Sequence, residues 1–172
     1  EKIYSTARHK VSEGSAIKRR LFEWAVGVGN RFAHTRNRGD RVGPVLAAQH
    51  AIADKLVLHK IRDIVGGPKN FFSAGGAALA EEIEEFFFSA GLLVCQGYGL
   101  TETSPMLTCN RPGDFLFGTV GKVIPGCGLK TAPAGDILAP ARNVMAGYFG
   151  SPPDPGAAFG GGGCTTGGPG GC

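Results

Sequence analysis

The octet Gln96-Gly97-Tyr98-Gly99-Leu100-Thr101-Glu102-Thr103 gathers the groups in this sequence best suited to chemistry. Two glycines flank an aromatic ring, so backbone and ring can both approach a flat ligand. A hydroxyl and a carboxylate follow at once. The Thr101 hydroxyl can donate to a phosphate oxygen. The Glu102 carboxylate beside a phosphate makes sense with a cation between them, and Mg²⁺ favours carboxylate and phosphate oxygens. Together these residues suit a nucleotide base, a phosphate and a metal within one loop. The plainer account is a Gly-rich turn with a core Tyr98 and a solvated Glu102, and the residue types alone do not choose between the two.

Gly75-Gly76-Ala77-Ala78 follows the same logic. Small residues let a backbone lie against a purine face, and the N–H groups at a helix start attract anions. Alone, this stretch is better explained as a tight strand-to-helix turn. The four histidines (9, 34, 50, 59) form no HExxH and read as helix-surface residues. The five cysteines (95, 109, 127, 164, 172) make no CxxC pair. Reduced, cytosolic thiols are expected.

Both small-residue stretches need elements to position them. Phe71-Phe72-Ser73 reads as a short strand running into residues 74–78, and a helix is expected over 79–90. Its Leu79, Ile83, Phe86 and Phe87 would face inward, with Glu81, Glu82, Glu84 and Glu85 outward. Leu92-Leu93-Val94-Cys95 is the second strand and feeds the octet. This is a βαβ unit. A right-handed crossover makes its strands parallel, with both loops leaving carboxyl ends, where open α/β sheets bind ligands.

The first 65 residues read as helices. Residues 1–12 carry Ile3, Tyr4, Ala7 and Val11 on one face. Ser15 is a suitable N-cap for a helix over 16–35, with Ile17, Leu21, Trp24, Ala25 and Val28 at helical spacing. Arg38-Gly39-Asp40-Arg41 is loop, and its RGD tripeptide is treated as chance. Pro44 opens a third helix over 44–65, covered by Leu46, Ile52, Leu56, Leu58, Ile61 and Ile64 and ended by Gly66-Gly67. After Pro105, short strands are expected over 119–123, 128–132 and 135–139, then a turn with a short helix over 143–149. From Gly160 on, Gly fills 8 of the last 13 positions. Such a tail buries too little to offset its backbone entropy, and disorder is expected over 160–172.

The net charge of +4 hides an asymmetry. Residues 1–70 hold 14 of the 18 Lys and Arg and 6 of the 14 Asp and Glu, a net +8. The remainder sums to −4. A basic half can serve nucleic acid or an anionic membrane, but solvated faces of amphipathic helices explain it more simply. No run of eighteen apolar residues occurs, which excludes a membrane-spanning helix. With neither an initiator Met nor a signal peptide, the chain is expected to begin inside a longer protein.

The stretch Gln96-Gly-Tyr-Gly-Leu-Thr-Glu-Thr-Ser-Pro105 resembles the YGxTE motif of adenylate-forming enzymes. Further stretches resemble the long-chain acyl-CoA synthetase branch. They are Lys60-Ile61-Arg62 to Gly66-Gly67, Phe71 to Leu79, Gly118-Thr119-Val120-Gly121-Lys122 to Pro125-Gly126, and Asn143 to Tyr148. The basic helical segment before Lys60 is also similar to that branch.

The resemblance implies an α/β fragment of the large N-terminal domain, with helices packed on a mostly parallel sheet followed by short strands. Residues 1–159 would be a partial AMP-binding domain, with 1–65 helical and 69–105 the βαβ part. It implies a reaction in which a fatty carboxylate attacks the α-phosphorus of ATP, giving acyl-AMP, and CoA then displaces AMP. Tyr98 would stack on adenine, and Gly76, Ala77 and Ala78 would line the adenine pocket. Gln96, Gly97 and Gly99 would line the nucleotide and acyl pocket, Thr101 would bind the α-phosphate, and Glu102 would hold Mg²⁺. Fatty acid, ATP and CoA are the implied partners, with no nucleic acid. The location would be cytoplasmic, with room for peripheral attachment to the inner membrane face and for a homodimer.

Departures accompany the matches. The family's phosphate loop is expected before residue 1, and its hinge and catalytic Lys after residue 172, so no ligase turnover is expected of this piece alone. Gly135-Asp-Ile-Leu-Ala-Pro-Ala-Arg142 replaces the family's Gly-Glu-Ile-Leu-Val-Arg-Gly-Pro, and Gly168 stands where the family carries its ribose-binding Asp. Both patches, 139–142 and the Gly-rich tail, have the look of misread GC-rich DNA. The alternatives are another adenylating enzyme, such as a fatty acyl-AMP ligase or a luciferase-like relative, and a non-catalytic module that binds an anionic or lipid surface.

Overall fold

A computed structural model describes residues 2–67, 69–131, 136–139, 144–145 and 164–169. The chain divides into two compact units. Residues 1–73 and 79–94 make the first, and residues 74–78 and 95–172 make the second.

The first unit is built from helices α1 (Lys2–Ser12), α2 (Ala16–Asn37), α3 (Pro44–Ala53), a π-helical turn (Asp54–Leu58), α4 (His59–Ile64) and α5 (Glu81–Ser89). Local signals set their ends. The Ser15 side chain accepts from Lys18 N, Pro44 opens α3, and Gly66 and Gly67 take positive φ after α4. The Gly67 N–H returns to Arg62 O at 2.9 Å, closing the helix end. Helix α2 packs on α3 and α5. Phe22, Ala25, Val28, Leu58, Ile61, Ile83 and Phe86 fill the core between them. Gly29 permits this packing, because a Cβ there would lie 2.2 Å from Ser89 O and 3.1 Å from Leu58 Cδ1. The rings of Tyr4 and Phe86 meet edge-on at 5.1 Å.

Two expectations about helix faces change. Of the apolar positions assigned to the third helix, Leu58 and Ile61 are buried, whereas Ile52, Leu56 and Ile64 are exposed. The π-helical turn adds a residue and rotates everything after it, so a stripe drawn at constant spacing fails there. In α5, Glu84 is fully buried rather than outward. Residues 83–90 are buried almost throughout, so α5 is enclosed on more than one face and lacks a single wet side.

Strands β1 (Phe72–Ala74), β2 (Val94–Gly99), β3 (Met106–Cys109) and β4 (Lys122–Val123) form one sheet in the order β1-β2-β3-β4. Strands β1 and β2 each run from the first unit into the second. The sheet is mixed rather than mostly parallel: β1 and β2 are joined through α5, while β2–β3 and β3–β4 are antiparallel. Strand β2 starts two residues later than expected and continues through Gly99, so half of the octet is strand. Strand β3 had no counterpart among the expected strands. A second sheet, β5 (Lys130–Thr131), β6 (Asp136–Ala139) and β7 (Cys164–Pro169), is antiparallel. Thus 164–169, inside the tail expected to be disordered, pairs with 136–139. Ladder hydrogen bonds need only backbone groups, which a Gly-rich segment supplies without a core of its own. Of the turn and short helix expected over 143–149, only 144–145 lie within the described residues.

Candidate nucleotide-binding site

The second unit brings the two small-residue stretches together. Gly75 lies against Gly97, where a Cβ would meet Gly97 O at 3.4 Å. Gly76, Ala77 and Ala78 are exposed, and Gly76 has φ +86°. Every position facing solvent here is a hydrogen or a methyl group, so a flat ring can lie close to the backbone.

Strand β2 carries the other wall. Its burial falls along its length: Val94, Cys95 and Gln96 are buried, and Gly97, Tyr98 and Gly99 are half-buried. Tyr98 pairs with Thr108 and Gly99 with Met106, and the register shifts between Tyr98 and Gly99. Such a bulge bends a strand and re-aims the neighbouring side chain, here that of Tyr98. Gly99 is sterically fixed: a Cβ would sit 1.8 Å from Pro105 O and 2.7 Å from Pro105 C.

The chain then enters a single 3₁₀ turn, Thr101–Thr103. Thr103 is fully buried and holds this turn. Its Oγ1 accepts from Leu100 N at 3.0 Å and reaches two acceptors, Leu100 O and Pro105 O, each at 3.0 Å. Its one proton serves either carbonyl. Ser104 follows in the left-handed region at φ +53°, the single non-Gly residue there among the described residues. The Met145 N–H donates to Glu102 O at 2.8 Å. The turn is therefore fixed through its backbone, which leaves Thr101 exposed and Glu102 half-buried at its corner.

Beyond the turn, Asn110 organises the return of the chain. Its side-chain amide donates to Thr119 O at 2.7 Å and Leu116 O at 3.3 Å, and its Oδ1 accepts from Leu116 N at 3.2 Å. Its N–H donates to Gln96 O at 2.8 Å. Thr108 Oγ1 donates to Val120 O at 2.9 Å. Thr103 and Asn110 are the supporting residues that the sequence did not single out. A Thr two places after Thr101 at the end of a tight turn was the visible hint for the first.

Every expected site residue thus lies in one unit: Gly76, Ala77 and Ala78 on one stretch, and Gln96, Gly97, Tyr98, Gly99, Thr101 and Glu102 on the other. An aromatic ring, small residues, an exposed hydroxyl and a carboxylate share a rigid strand end. The histidines are placed differently from expectation. Only His9 is a plain surface residue; His34, His50 and His59 are half-buried against Phe88, Phe32 and the Asp54 carbonyl. No three or more His, Cys, Asp or Glu side chains cluster for a metal among the described residues.

An α/β unit whose Gly-lined strand end leads into a hydroxyl–carboxylate turn defines a nucleotide-binding architecture. Residues 28–149 match the AMP-binding enzyme family, and the chain belongs to that family. It is 36% identical over 149 residues to the long-chain-fatty-acid–CoA ligase FadD15 of Mycobacterium bovis, covering 87% of this chain and 24% of that protein. The chain therefore spans about a quarter of the length of the curated relatives it matches. Among solved structures, an anthranilate CoA ligase, AuaEII, in complex with anthranoyl-AMP shares the fold at a TM-score of 0.51 with 27% identity, over 56% of this chain and 21% of that one. A malonyl-CoA ligase with methylmalonyl-CoA and AMP bound does so at 0.50 with 28% identity, over 81% of this chain and 28% of that one. The α/β class and the adenylate-forming fold expected from the motifs therefore stand.

Proposed function

We propose that this chain supplies the adenylate-binding part of a long-chain fatty acid–CoA ligase, which activates a fatty acid with ATP and passes it to CoA. The observation that carries this reading is the meeting of Gly75 and Gly97 beside the Thr101–Glu102 corner. The similarity to FadD15 favours a fatty acid over other carboxylates as the substrate.

In this reading Tyr98 stacks on adenine, and Gly76, Ala77 and Ala78 lie along the opposite side of the base. Gln96, Gly97 and Gly99 line the nucleotide and acyl pocket with backbone. The Thr101 hydroxyl donates to an α-phosphate oxygen. Attack of a carboxylate on a phosphate brings two anions together, so fixed donors lower the barrier by meeting the charge that builds. Donors fixed by a backbone network need no reorganisation as that charge builds, and the Thr103 bonds supply such fixation.

The donor set also suits Mg²⁺: Glu102 offers a hard carboxylate oxygen beside a phosphate-binding hydroxyl, and Mg²⁺ takes the remainder of its shell from phosphates and water. Bound there, Mg²⁺ would neutralise phosphate charge. A cytoplasmic location, peripheral contact with a membrane and a homodimer are compatible with this reading and rest on the resemblance alone.

Titrating ATP into the chain by calorimetry, with and without Mg²⁺, tests the assignment. Glu102→Gln is expected to weaken binding only when Mg²⁺ is present, and Thr101→Ala in both conditions. Equal affinities for all three proteins would overturn it. Mixing the chain with ATP, Mg²⁺, palmitate and CoA is expected to give no thioester.

A further inference from the structure

The first unit holds a cavity of about 370 Å³ that the adenylate reading does not use. Phe32, Phe88 and Leu93 form its apolar wall, and Arg36, His50 and Arg62 edge it. No carboxylate lines it. The π-helical turn is what assembles this edge. Asp54 and Arg62 are eight residues apart, which at about 100° per residue places them about 80° from each other around a regular helix. One extra residue in the turn reduces this to about 20°, so His50, Asp54 and Arg62 come onto one stripe.

Bonds within the unit then fix the stripe. Arg62 pairs with Asp54 at 2.7 Å and donates to Ala90 O at 3.0 Å, at the C-terminal end of α5. His59 Nδ1 lies 2.8 Å from Asp54 O. His50 stacks on Phe32 at 3.7 Å, and the Arg36 guanidinium lies over the other part of the same aromatic system, 6.0 Å from the Phe32 centroid. Arg62 is balanced by Asp54. Arg36 therefore carries the unbalanced positive charge of the cavity, next to an aromatic wall.

We propose that this cavity is a binding site for a small amphipathic anion, whose charged group meets Arg36 and His50 and whose apolar body lies on Phe32, Phe88 and Leu93. Its volume and its mixture of apolar walls with a few polar groups suit such a ligand. The arrangement couples binding to a proton. His50 is held below its ordinary range by burial and by Arg62 and Arg36, with Asp54 opposing. The charged groups facing it are these three, two on its own helix and one on α2, and residues 88–93 add none. An anion in the cavity favours the imidazolium, so binding raises the His50 pKa and strengthens as pH falls through that range.

Octanoate, octanol and inorganic phosphate, titrated separately into the chain and followed by NMR at the Phe32 and His50 rings, test this. Octanoate is expected to move both rings and raise the His50 midpoint. Octanol and phosphate should do so far less, each lacking half of the match. Arg36→Gln, at an exposed position, should weaken octanoate about tenfold, equivalent to about 1.4 kcal/mol, whereas Arg36→Lys should restore most of it. Unmoved rings, an equal response to octanol or phosphate, or full affinity in Arg36→Gln would overturn the proposal. Shifts confined to residues 96–103 would likewise overturn it, leaving the nucleotide reading untouched.

Discussion

Gly29 and Gly99 both sit where a Cβ would strike backbone, at 2.2 Å and 1.8 Å, yet they hold different things together. Gly29 lets two helices close on a core of Phe22, Val28, Leu58 and Phe86. Gly99 lets a strand end fold back on Pro105 and present a turn to solvent. In the first unit side chains make the structure and the backbone follows. In the second, backbone geometry makes the site, and the reactive side chains stand outside the core. A region can therefore carry the stability of a chain, or its chemistry, with the same residue type serving both.

The comparison can be broken most severely at the two glycines. Gly99→Ala and Gly29→Ala each force backbone apart, and each is expected to cost about 3 kcal/mol, the range of serious overpacking. Urea unfolding measures the loss. The outcomes should differ in kind: amide signals move around Thr101–Met106 in the first variant and along α2 and α5 in the second. Matching patterns would mean that the two regions are not separately built.

Thr103→Val comes next. It keeps the shape and removes the hydroxyl that serves Leu100 and Pro105, so about 1–2 kcal/mol should be lost, together with ATP binding. Loss of stability without loss of ATP binding would show that the turn is not the nucleotide's support.

The smallest effect belongs to the Asp54–Arg62 pair. Arg62 lowers the Asp54 pKa chiefly through its hydrogen bond, with burial opposing. The sign follows from linkage: the pair's stabilisation is full above the unfolded carboxylate value, about 4, and is lost as pH falls through the lower folded value. The pair is partly solvated, so Asp54→Asn should cost about 1 kcal/mol at neutral pH. Variant and parent should converge below about pH 3, and a constant gap in urea melts across pH would contradict the assignment.

Much of the frame was legible because its signals are local. Ser15, Pro44 and Gly66-Gly67 mark helix ends by their own bonds and dihedral angles. The βαβ unit was legible from two apolar runs around an amphipathic one. Constant spacing failed at residues 54–58, since a π-helical turn leaves no mark in residue type, and the burial of Glu84 depends on neighbours distant in sequence. Strand β3 was missed because four residues, Met106–Cys109, carry too little periodicity to separate strand from loop. At the site, the chemistry of Tyr98, Thr101 and Glu102 was visible. The supports Thr103 and Asn110 were not, because their worth lies in carbonyls that only the folded chain brings near.

The central claim is that the adenine base lies between Tyr98 and the Gly76–Ala78 stretch. Nuclear Overhauser contacts from the base protons of AMP to the chain test it most directly. Contacts to the Tyr98 ring and the Ala77 and Ala78 methyl groups are the expected result. Contacts to the helical unit instead, for example to Phe32 or Phe88, would contradict the account.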